Sequence, residues 1–295
     1  MPAPLDEFFL DTRVVRRAFD AASPTFDANA AVHSEIRQRL LERLDLVKLK
    51  PEVVLDLGAG TGHSSRALRD RYSSAQVVAA DLSPRMLQRA GKQQRLLRRF
   101  ERVTADAHQL PFKSASVDLV FSNLMLQWCS DPDRVLAEVR RVLRTNGLLT
   151  FTTLGPDTLR EMRAAWTKVD THPHVHRFID MHDLGDALLR AGCAEPVMDT
   201  ERLTITYASL DALLLELRGS GSNSAAHGRR RTLVGRSALA RMREEYEGRR
   251  SNGVLPVTLE VVYGHAWAMD KAPRGAEAAE VRVPLGTIRG RRDDR

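Results

Sequence analysis

A glycine-rich loop that follows an apolar run is the part of this sequence best suited to hold a ligand. In VVLDLGAGTGHSS, the short apolar run Val53–Leu57 leads into Gly58, Gly60 and Gly62 and then into a predicted helix. Glycines at such positions let the backbone turn tightly and approach a ligand without a steric conflict from a Cβ atom. Asp56 stands two residues before the first of these glycines.

The spacing within this loop distinguishes two kinds of ligand. Dinucleotide-binding folds carry GxGxxG, whereas this chain carries GxGxG with an acid close before it. The carboxylate of Asp56 would repel a pyrophosphate, but it would attract the ammonium and sulfonium groups of S-adenosyl-L-methionine. The loop therefore predicts S-adenosyl-L-methionine as the cofactor, with a tight strand-to-helix turn that binds nothing as the alternative.

Polar side chains at the ends of three further apolar runs agree with this prediction. Asp81 lies about 20 residues beyond the glycines, where an acid accepts ribose hydroxyls in nucleotide-binding folds; an acid there can also cap a helix. Asp106 could accept a hydrogen bond from an adenine amino group, and Ala107 is small enough for the ring to lie flat. Asn123 ends the fourth run and is expected to face the same crevice.

The elements that must position these residues alternate along the chain. Apolar runs alternate with helical patterns, and the runs are Val53–Leu57, 76–80, 102–105, 117–122 and 148–153. Such alternation predicts an α/β fold with a mostly parallel sheet and helices on both faces. Ligands of these folds bind outside the carboxyl ends of the strands.

Beyond residue 154 the alternation loosens. Helices are predicted at 156–168, 181–191 and 209–218, and strands at 203–207 and 258–267. We expect an N-terminal helical lead-in over 1–50, a catalytic domain over 51–270 with a small helical cap inserted near 209–256, and a basic tail over 271–295 with a possible strand at 281–288.

Composition limits the class of protein. The 295-residue chain is 43% hydrophobic and 28% charged, which is typical of a globular domain. The two cysteines, Cys129 and Cys193, form no metal-binding or disulfide pattern. Neither a signal peptide nor a membrane-spanning run is recognised, so we expect a cytoplasmic protein.

The positive charge is concentrated near the C-terminus. Residues 229–295 carry +6 of the net charge of +7. Arg229, Arg230 and Arg231 follow a Gly- and Ser-rich loop and are candidates to contact an acidic partner. A solvated basic loop is the alternative, and no nucleic-acid or membrane partner is expected.

Residues 50–155 resemble the class I methyltransferases. The resemblance implies a Rossmann-like, seven-stranded sheet whose last strand is antiparallel. It also implies cofactor contacts from the residues already described. Asp56 and the three glycines would hold the methionine end, Asp81 the ribose with Leu82 beside the adenine, and Asp106 and Ala107 the adenine.

Nearly the whole chain resembles one family, the malonyl-acyl-carrier-protein O-methyltransferases of biotin synthesis. The segments are RRAFDAASPTFDANAAVHSEI, LMLQWCSDPDRVLAEVRRVLRTNGLLTFTTLGPDTLREMRAAW, HVHRFIDMHDLGDALLRAG, LRGSGSNS and VRVPLGTIRGRR. The resemblance implies methyl esterification of the free carboxylate of malonyl-acyl-carrier protein or malonyl-CoA. One departure is Phe26, where members often carry Tyr, so any role of that hydroxyl is lost.

The residue inventory suits this chemistry. A malonyl carboxylate is already ionised at pH 7, so no general base is required and no catalytic triad is expected. An arginine would suit the carboxylate through bidentate geometry, and Arg177 is the candidate. Gln127 and Trp128 are candidates to line the acceptor pocket, although Trp128 could instead belong to the core.

The run THPHVHRFIDMHD raises the question of a metal. It offers His172, His174, His176, Asp180 and His182, and alternate histidines of a strand share one face. Pro173 interrupts such a strand, and esterification of an anion needs no metal. We therefore expect none.

Other functions remain open at this point. A related arginine hydroxylase that assembles respiratory complex I shares much of the pattern, and a quinone C-methyltransferase shares the cofactor half. A non-catalytic scaffold is disfavoured by the intact acids Asp56, Asp81 and Asp106. A nucleic-acid methyltransferase is disfavoured because SNLMLQW, and no NPPY-like motif, follows the fourth run.

Overall fold

The protein is described by a computed structural model that covers residues 10–222, 224–226 and 234–269. A seven-stranded sheet forms its centre, with the spatial order β3-β2-β1-β4-β5-β7-β6. The strands are β1 Val53–Leu57, β2 Gln76–Asp81, β3 Glu101–Thr104, β4 Val117–Asn123, β5 Leu143–Leu154, β6 Ala194–Tyr207 and β7 Leu255–Ala268. Strands β1 to β5 pair in parallel, whereas β7 runs antiparallel to both of its neighbours, β5 and β6. The predicted sheet with an antiparallel last strand is confirmed.

Helices cover both faces of this sheet. They are α1 Thr12–Ala22, α2 Ala31–Arg43, α3 His63–Arg71, α4 Pro84–Ala90, α5 Pro132–Val142, α6 Arg160–Thr167, α7 Met181–Arg190, α8 Leu210–Gly219 and α9 Arg236–Glu247. Helices α5 and α7 pack on one face, where Val135, Leu136 and Leu188 are buried. Helices α2, α3 and α4 pack on the other through Ile36 and Leu68, among others. Two buried layers therefore enclose the parallel strands, as expected of this fold class.

A third apolar cluster lies beyond the sheet. Helices α6, α8 and α9 pack together through Trp166, Leu213 and Tyr246, and Val257 at the beginning of β7 joins them. Both α8 and α9 come from the chain between β6 and β7.

The N-terminal segment closes against the same region. Leu10 forms a bridge with Ala226, and the amide of Asp11 donates to the carbonyl of Ala225. Thr25 donates to the carbonyl of Gly219 at the end of α8. These contacts hold α1 over the carboxyl edge of the sheet.

Two elements differ from their predictions. Strand β6 begins at Ala194 and not at 203. It is an edge strand in which no residue is fully buried, so no apolar run in the sequence marks its first half. Helix α6 begins at Arg160 and not at 156. Leu159 adopts a left-handed φ of 55°. The Glu260 carboxylate accepts a hydrogen bond from the amide of Asp157, and the amide of Glu260 donates to the hydroxyl of Thr158. These contacts hold the turn before Arg160 in a non-helical conformation.

The predicted tail over 271–295, with its strand at 281–288, lies outside the described residues, as do Arg229, Arg230 and Arg231. Among the residues that are described, no helix combines the length and apolar character needed to cross a membrane.

Candidate functional site

The glycine loop after β1 is tied to the end of β2 by three backbone amides. The amides of Gly58 and Ala59 donate to the carbonyl of Ala80, and that of Gly60 donates to Oδ2 of Asp81 at 2.8 Å. Gly58 has a φ of +78°, and a Cβ there would lie 2.5 Å from Cγ of Met125. Only glycine therefore fits between this turn and Met125.

Asp81 is held in one orientation by its neighbours. The amide of Ser83 donates to Oδ1 at 2.7 Å, while Oδ2 receives the amide of Gly60. Burial raises the pKa of Asp81 to about 6, although these two amides oppose the shift. Each carboxylate oxygen can accept a second hydrogen bond, so a pair of vicinal hydroxyls fits this group.

Asp56 and Gly62 are not among the residues that line the two cavities described below. Asp56 accepts a hydrogen bond from the Ser65 hydroxyl, and burial raises its pKa to about 7. The charges of Asp81 and Arg37 act on it in opposite directions. A Cβ on Gly62 would lie 2.7 Å from that of Ala90, so this glycine permits α3 and α4 to pack closely.

Asp106 and Ala107 follow β3 at the same edge. Oδ1 of Asp106 accepts the amide of His108 at 2.9 Å and lies 2.6 Å from the Nδ1 atom of its ring. Ala107 is buried, and its short side chain leaves room beside Asp106. Oδ2 of Asp106 takes no part in these two contacts and can accept a hydrogen bond from an amino group.

The end of β4 is fixed by β5. Asn123 accepts a hydrogen bond from the Thr152 hydroxyl and donates to the carbonyl of His33 in α2. Leu124 then adopts a φ of 53°, which is uncommon for a residue other than glycine. Its amide is held by Thr152, so the turn out of β4 is a strained, well-anchored feature of the site.

These strand ends surround a cavity of about 110 Å³, the smaller cavity. Its walls include most of the predicted cofactor residues, together with side chains from the N-terminal segment; they are Gly58, Gly60, Asp81, Leu82, Asp106, Ala107 and Asn123, with Thr12, Val15, Phe19, Phe26 and His33. The glycine cradle and the two accessible carboxylates suit S-adenosyl-L-methionine. Asp81 would hold the ribose and Asp106 the adenine.

A second cavity of about 380 Å³, the larger cavity, lies under α6 and α8. Apolar side chains from several elements form most of its wall, among them Leu154, Met162, Trp166, Leu213 and Val257. Polar side chains also line it, among them Gln127, Glu216 and Arg218. A mostly apolar wall with polar groups in it is typical of a site that orients an organic ligand.

The two cavities share three residues, His33, Leu124 and Trp128. Trp128 packs edge-on against Phe19 of α1 at 5.2 Å between ring centroids, and His176 lies 5.1 Å from it on the other side. A group bound in the larger cavity can therefore meet a group bound in the smaller cavity at this junction.

The three predicted acceptor residues are brought together only in part. Trp128 lines both cavities and Gln127 lines the larger one. The amide of Gln127 is engaged with the carbonyl of Leu124 and the hydroxyl of Thr153. Arg177 is exposed and lines a crevice of about 20 Å³ that shares Gln127 and Phe178 with the larger cavity. The geometry does not place Arg177 in the wall of the larger cavity.

The histidine-rich run is divided among different environments. His174 stacks on Trp166 with ring centroids 3.5 Å apart and lies 2.9 Å from Asp170. His182 pairs with Asp180, which caps α7, and His176 lines the larger cavity. Within the described ranges, no three His, Cys, Asp or Glu side chains cluster closely enough to hold a metal ion.

Several residues of these walls were missed by sequence reasoning. Val15 and Phe19 reach the smaller cavity only because α1 folds back over the sheet. His33 belongs to the predicted helical lead-in, in which no pattern marked it as a site residue. Helix α1 does carry a signal, since Asp11 accepts the amides of Arg13 and Val14 as an N-cap. No sequence pattern indicated where that helix would pack.

Comparison with known proteins agrees with the fold. Residues 55–151 match the methyltransferase domain family. The YcgJ protein from Bacillus subtilis has a TM-score of 0.59 at 16% identity, over 80% of this chain and 99% of that protein. The cyclase SpnF has a TM-score of 0.55 at 18% identity, over 87% of this chain and 96% of that protein. This chain is an S-adenosyl-L-methionine-dependent methyltransferase of class I fold.

Relatives with much higher identity extend over nearly the whole chain. The malonyl-[acyl-carrier protein] O-methyltransferase of Methylovorus sp. is 49% identical over 89% of this chain and 90% of its own length. The malonyl-[acyl-carrier protein] O-methyltransferase of Halorhodospira halophila is 46% identical over 98% of this chain and 99% of its own length. The chain belongs to the malonyl-[acyl-carrier protein] O-methyltransferase family. The resemblance read from the sequence is confirmed, and the hydroxylase and quinone methyltransferase alternatives are not supported.

Proposed function

We propose that this protein methylates the free carboxylate of a malonyl thioester and so forms its methyl ester. The observation that carries the proposal is the junction of the two cavities at His33, Leu124 and Trp128. One cavity suits the cofactor, and the other is apolar and large enough for a small acyl group with the beginning of its thioester arm. The relatives are named for the same reaction.

S-adenosyl-L-methionine supplies an electrophilic methyl group that passes to a carboxylate oxygen and leaves a neutral thioether. The protein has to align the reacting atoms in line, about 3 Å apart, and to exclude water. Asp81 and Asp106 fix the nucleoside, while the α1 segment closes the smaller cavity from outside. No side chain has to accept a proton, because the malonyl carboxylate is already ionised at neutral pH.

Two finer points belong to this proposal. We infer that the carrier of the thioester is acyl-carrier protein, because it is an acidic protein and this chain has a net charge of +7; malonyl-CoA is the alternative. The cytoplasmic location expected from the sequence stays a prediction.

The test is direct methyl transfer. The purified protein is incubated with S-adenosyl-L-methionine and either malonyl-acyl-carrier protein, malonyl-CoA or the corresponding acetyl thioester. Mass spectrometry should detect a methyl ester on the malonyl thioester, and none on the acetyl thioester, which lacks a free carboxylate. Rescue of a biotin auxotroph that lacks its malonyl methyltransferase provides a second readout. An unmodified malonyl thioester and failure to rescue would refute the proposal.

A further inference from the structure

Three residues in the wall of the larger cavity each carry a buried polar atom that has no hydrogen-bond partner among the described residues. Nδ1 of His33, Nε2 of His176 and Oγ of Ser224 are buried and have no hydrogen-bond partner among the residues that the structure describes. All three side chains line the larger cavity. Buried polar groups are nearly always paired in native proteins, and leaving one unpaired is costly. Three such groups in one largely apolar wall indicate a ligand that supplies their partners.

The two histidines are uncharged at neutral pH. Burial and, to a smaller extent, the charge of Arg37 lower the pKa of His33 to about 4. Burial and the charge of Arg163 lower the pKa of His176 to about 4 as well. A neutral imidazole carries one N–H donor and one acceptor nitrogen. Each ring can therefore donate to an anion without bringing a positive charge.

The position of His33 places it next to the reacting groups. It lines both cavities, at the junction through which the two ligands must meet. Its backbone carbonyl is held by Asn123, and its ring packs against Phe26 with centroids 5.3 Å apart. His176 is only 6% exposed and lies against Trp128 and Phe178. Both rings are therefore fixed by packing.

Positive charge is scarce in this wall. Among the described residues that line the larger cavity, Arg218 is the one Lys or Arg side chain, and it is exposed near the end of α8. Methyl transfer from a sulfonium to a carboxylate destroys charge, so the negative charge on oxygen is smaller in the transition state than before it. A fixed cation would stabilise the bound substrate more than the transition state and slow the reaction. Uncharged hydrogen-bond donors orient the carboxylate and stabilise the bound substrate over the transition state less than a cation would.

We propose that His33, His176 and Ser224 bind the acceptor as uncharged hydrogen-bond donors, with His33 on the carboxylate. The inference rests on the proposed function and names the groups that recognise its substrate. His33 is the donor at the junction, and His176 and Ser224 bind oxygens of the same acyl group further along the wall.

The experiment compares substitutions that keep or remove an uncharged donor. His33→Gln should keep kcat/KM for the malonyl thioester within about threefold, whereas His33→Leu should lower it at least tenfold, because only the first keeps an N–H group. His176→Leu and Ser224→Ala should raise KM with a smaller effect on kcat. Calorimetry should give an S-adenosyl-L-methionine affinity within about twofold of wild type for the His176 and Ser224 variants.

Two further variants make the result decisive. His33→Lys adds a cation at the junction and should lower kcat even where KM falls. His182→Gln, on the exposed end of α7, is the control and should change neither constant. Wild-type kinetics in His33→Leu, or faster turnover in His33→Lys, would overturn the inference while wild-type methyl transfer upheld the proposed function. An inactive wild-type protein would instead overturn the proposed function and this inference with it.

Discussion

The backbone amide of Gly60 donates to Oδ2 of Asp81 at 2.8 Å, and this bond joins the glycine loop after β1 to the carboxylate at the end of β2. The same carboxylate accepts the amide of Ser83 through its other oxygen. The loop and the acid are therefore one unit, and a change in either should affect cofactor binding.

Removal of the Asp81 carboxylate should weaken cofactor binding. In Asp81→Ala, two charge-assisted hydrogen bonds to the ribose are lost, which costs about 2–3 kcal/mol, or roughly a 30- to 150-fold higher Kd. Isothermal titration calorimetry with S-adenosyl-L-methionine measures this change. Asp183→Ala, on the exposed surface of α7, is the control and should leave the Kd unaltered. An unchanged Kd in Asp81→Ala would refute the ribose assignment.

Cofactor affinity should fall in mild acid. Because burial raises the pKa of Asp81 to about 6, the ionised form is present above that pH and is lost as the pH falls through it. Only the ionised form accepts both ribose hydroxyls and attracts the cationic ligand. We expect the Kd to rise roughly tenfold between pH 7 and pH 5 through this group alone, and titration of Asp56 would add to the effect. Calorimetry across this range tests the prediction, and a flat profile would contradict it.

Gly58 and Gly185 should respond oppositely to alanine. Gly58→Ala places a Cβ 2.5 Å from Met125 at a φ of +78°, so it should lower both thermal stability and cofactor affinity. Gly185 lies inside α7 with no atom within 4 Å of a new Cβ, so Gly185→Ala should raise stability by about 0.5–1 kcal/mol. Thermal unfolding of both variants with and without S-adenosyl-L-methionine separates the two effects. Equal melting temperatures would show that the close approach to Met125 is absent.

Substitution of Arg177 distinguishes two modes of carboxylate recognition. A bidentate clamp, as the sequence suggested, predicts at least a tenfold loss of kcat/KM in Arg177→Lys, because the planar fork is lost while the charge is kept. Arg177 is exposed and is not among the residues that line the larger cavity, so we expect a change below about threefold. Steady-state kinetics with a malonyl thioester measures the difference. A tenfold loss of kcat/KM with unchanged cofactor affinity would instead support bidentate recognition of the carboxylate by Arg177.

The arginines at 229–231 lie outside the described residues, and their role stays a prediction from the sequence. If they contact an acidic carrier, activity on malonyl-acyl-carrier protein should fall as salt rises, because charge pairs at a surface are screened over about 8 Å at physiological ionic strength. Activity on malonyl-CoA should depend less on salt. A triple alanine variant should lose activity on the protein substrate only. Equal losses on both substrates would assign these arginines to the fold or the active site.

The cofactor half of the protein is largely determined by local sequence. The glycines directly follow strand β1, Asp81 ends β2, and Asp106 lies two residues after β3. Because parallel strands end at one edge of a sheet, knowing the strands was enough to predict that these residues meet. The sequence predicts only the second half of the edge strand β6, since none of its residues is fully buried and no apolar run marks its first half.

The acceptor half was decided by tertiary structure. Its wall combines residues of α2, the turn after β4, the segment at 174–178, α8 and Ser224, which are far apart in the chain. Sequence reasoning chose Arg177 by charge and position, but the packing of His176 and Phe178 into the interior leaves Arg177 facing outward. His33 read as one residue of an amphipathic helix, and only the fold of α1 and α2 over the strand ends brings it to the junction. Local spacing determines which groups a strand or loop presents, whereas contacts between distant elements determine which of them share a cavity.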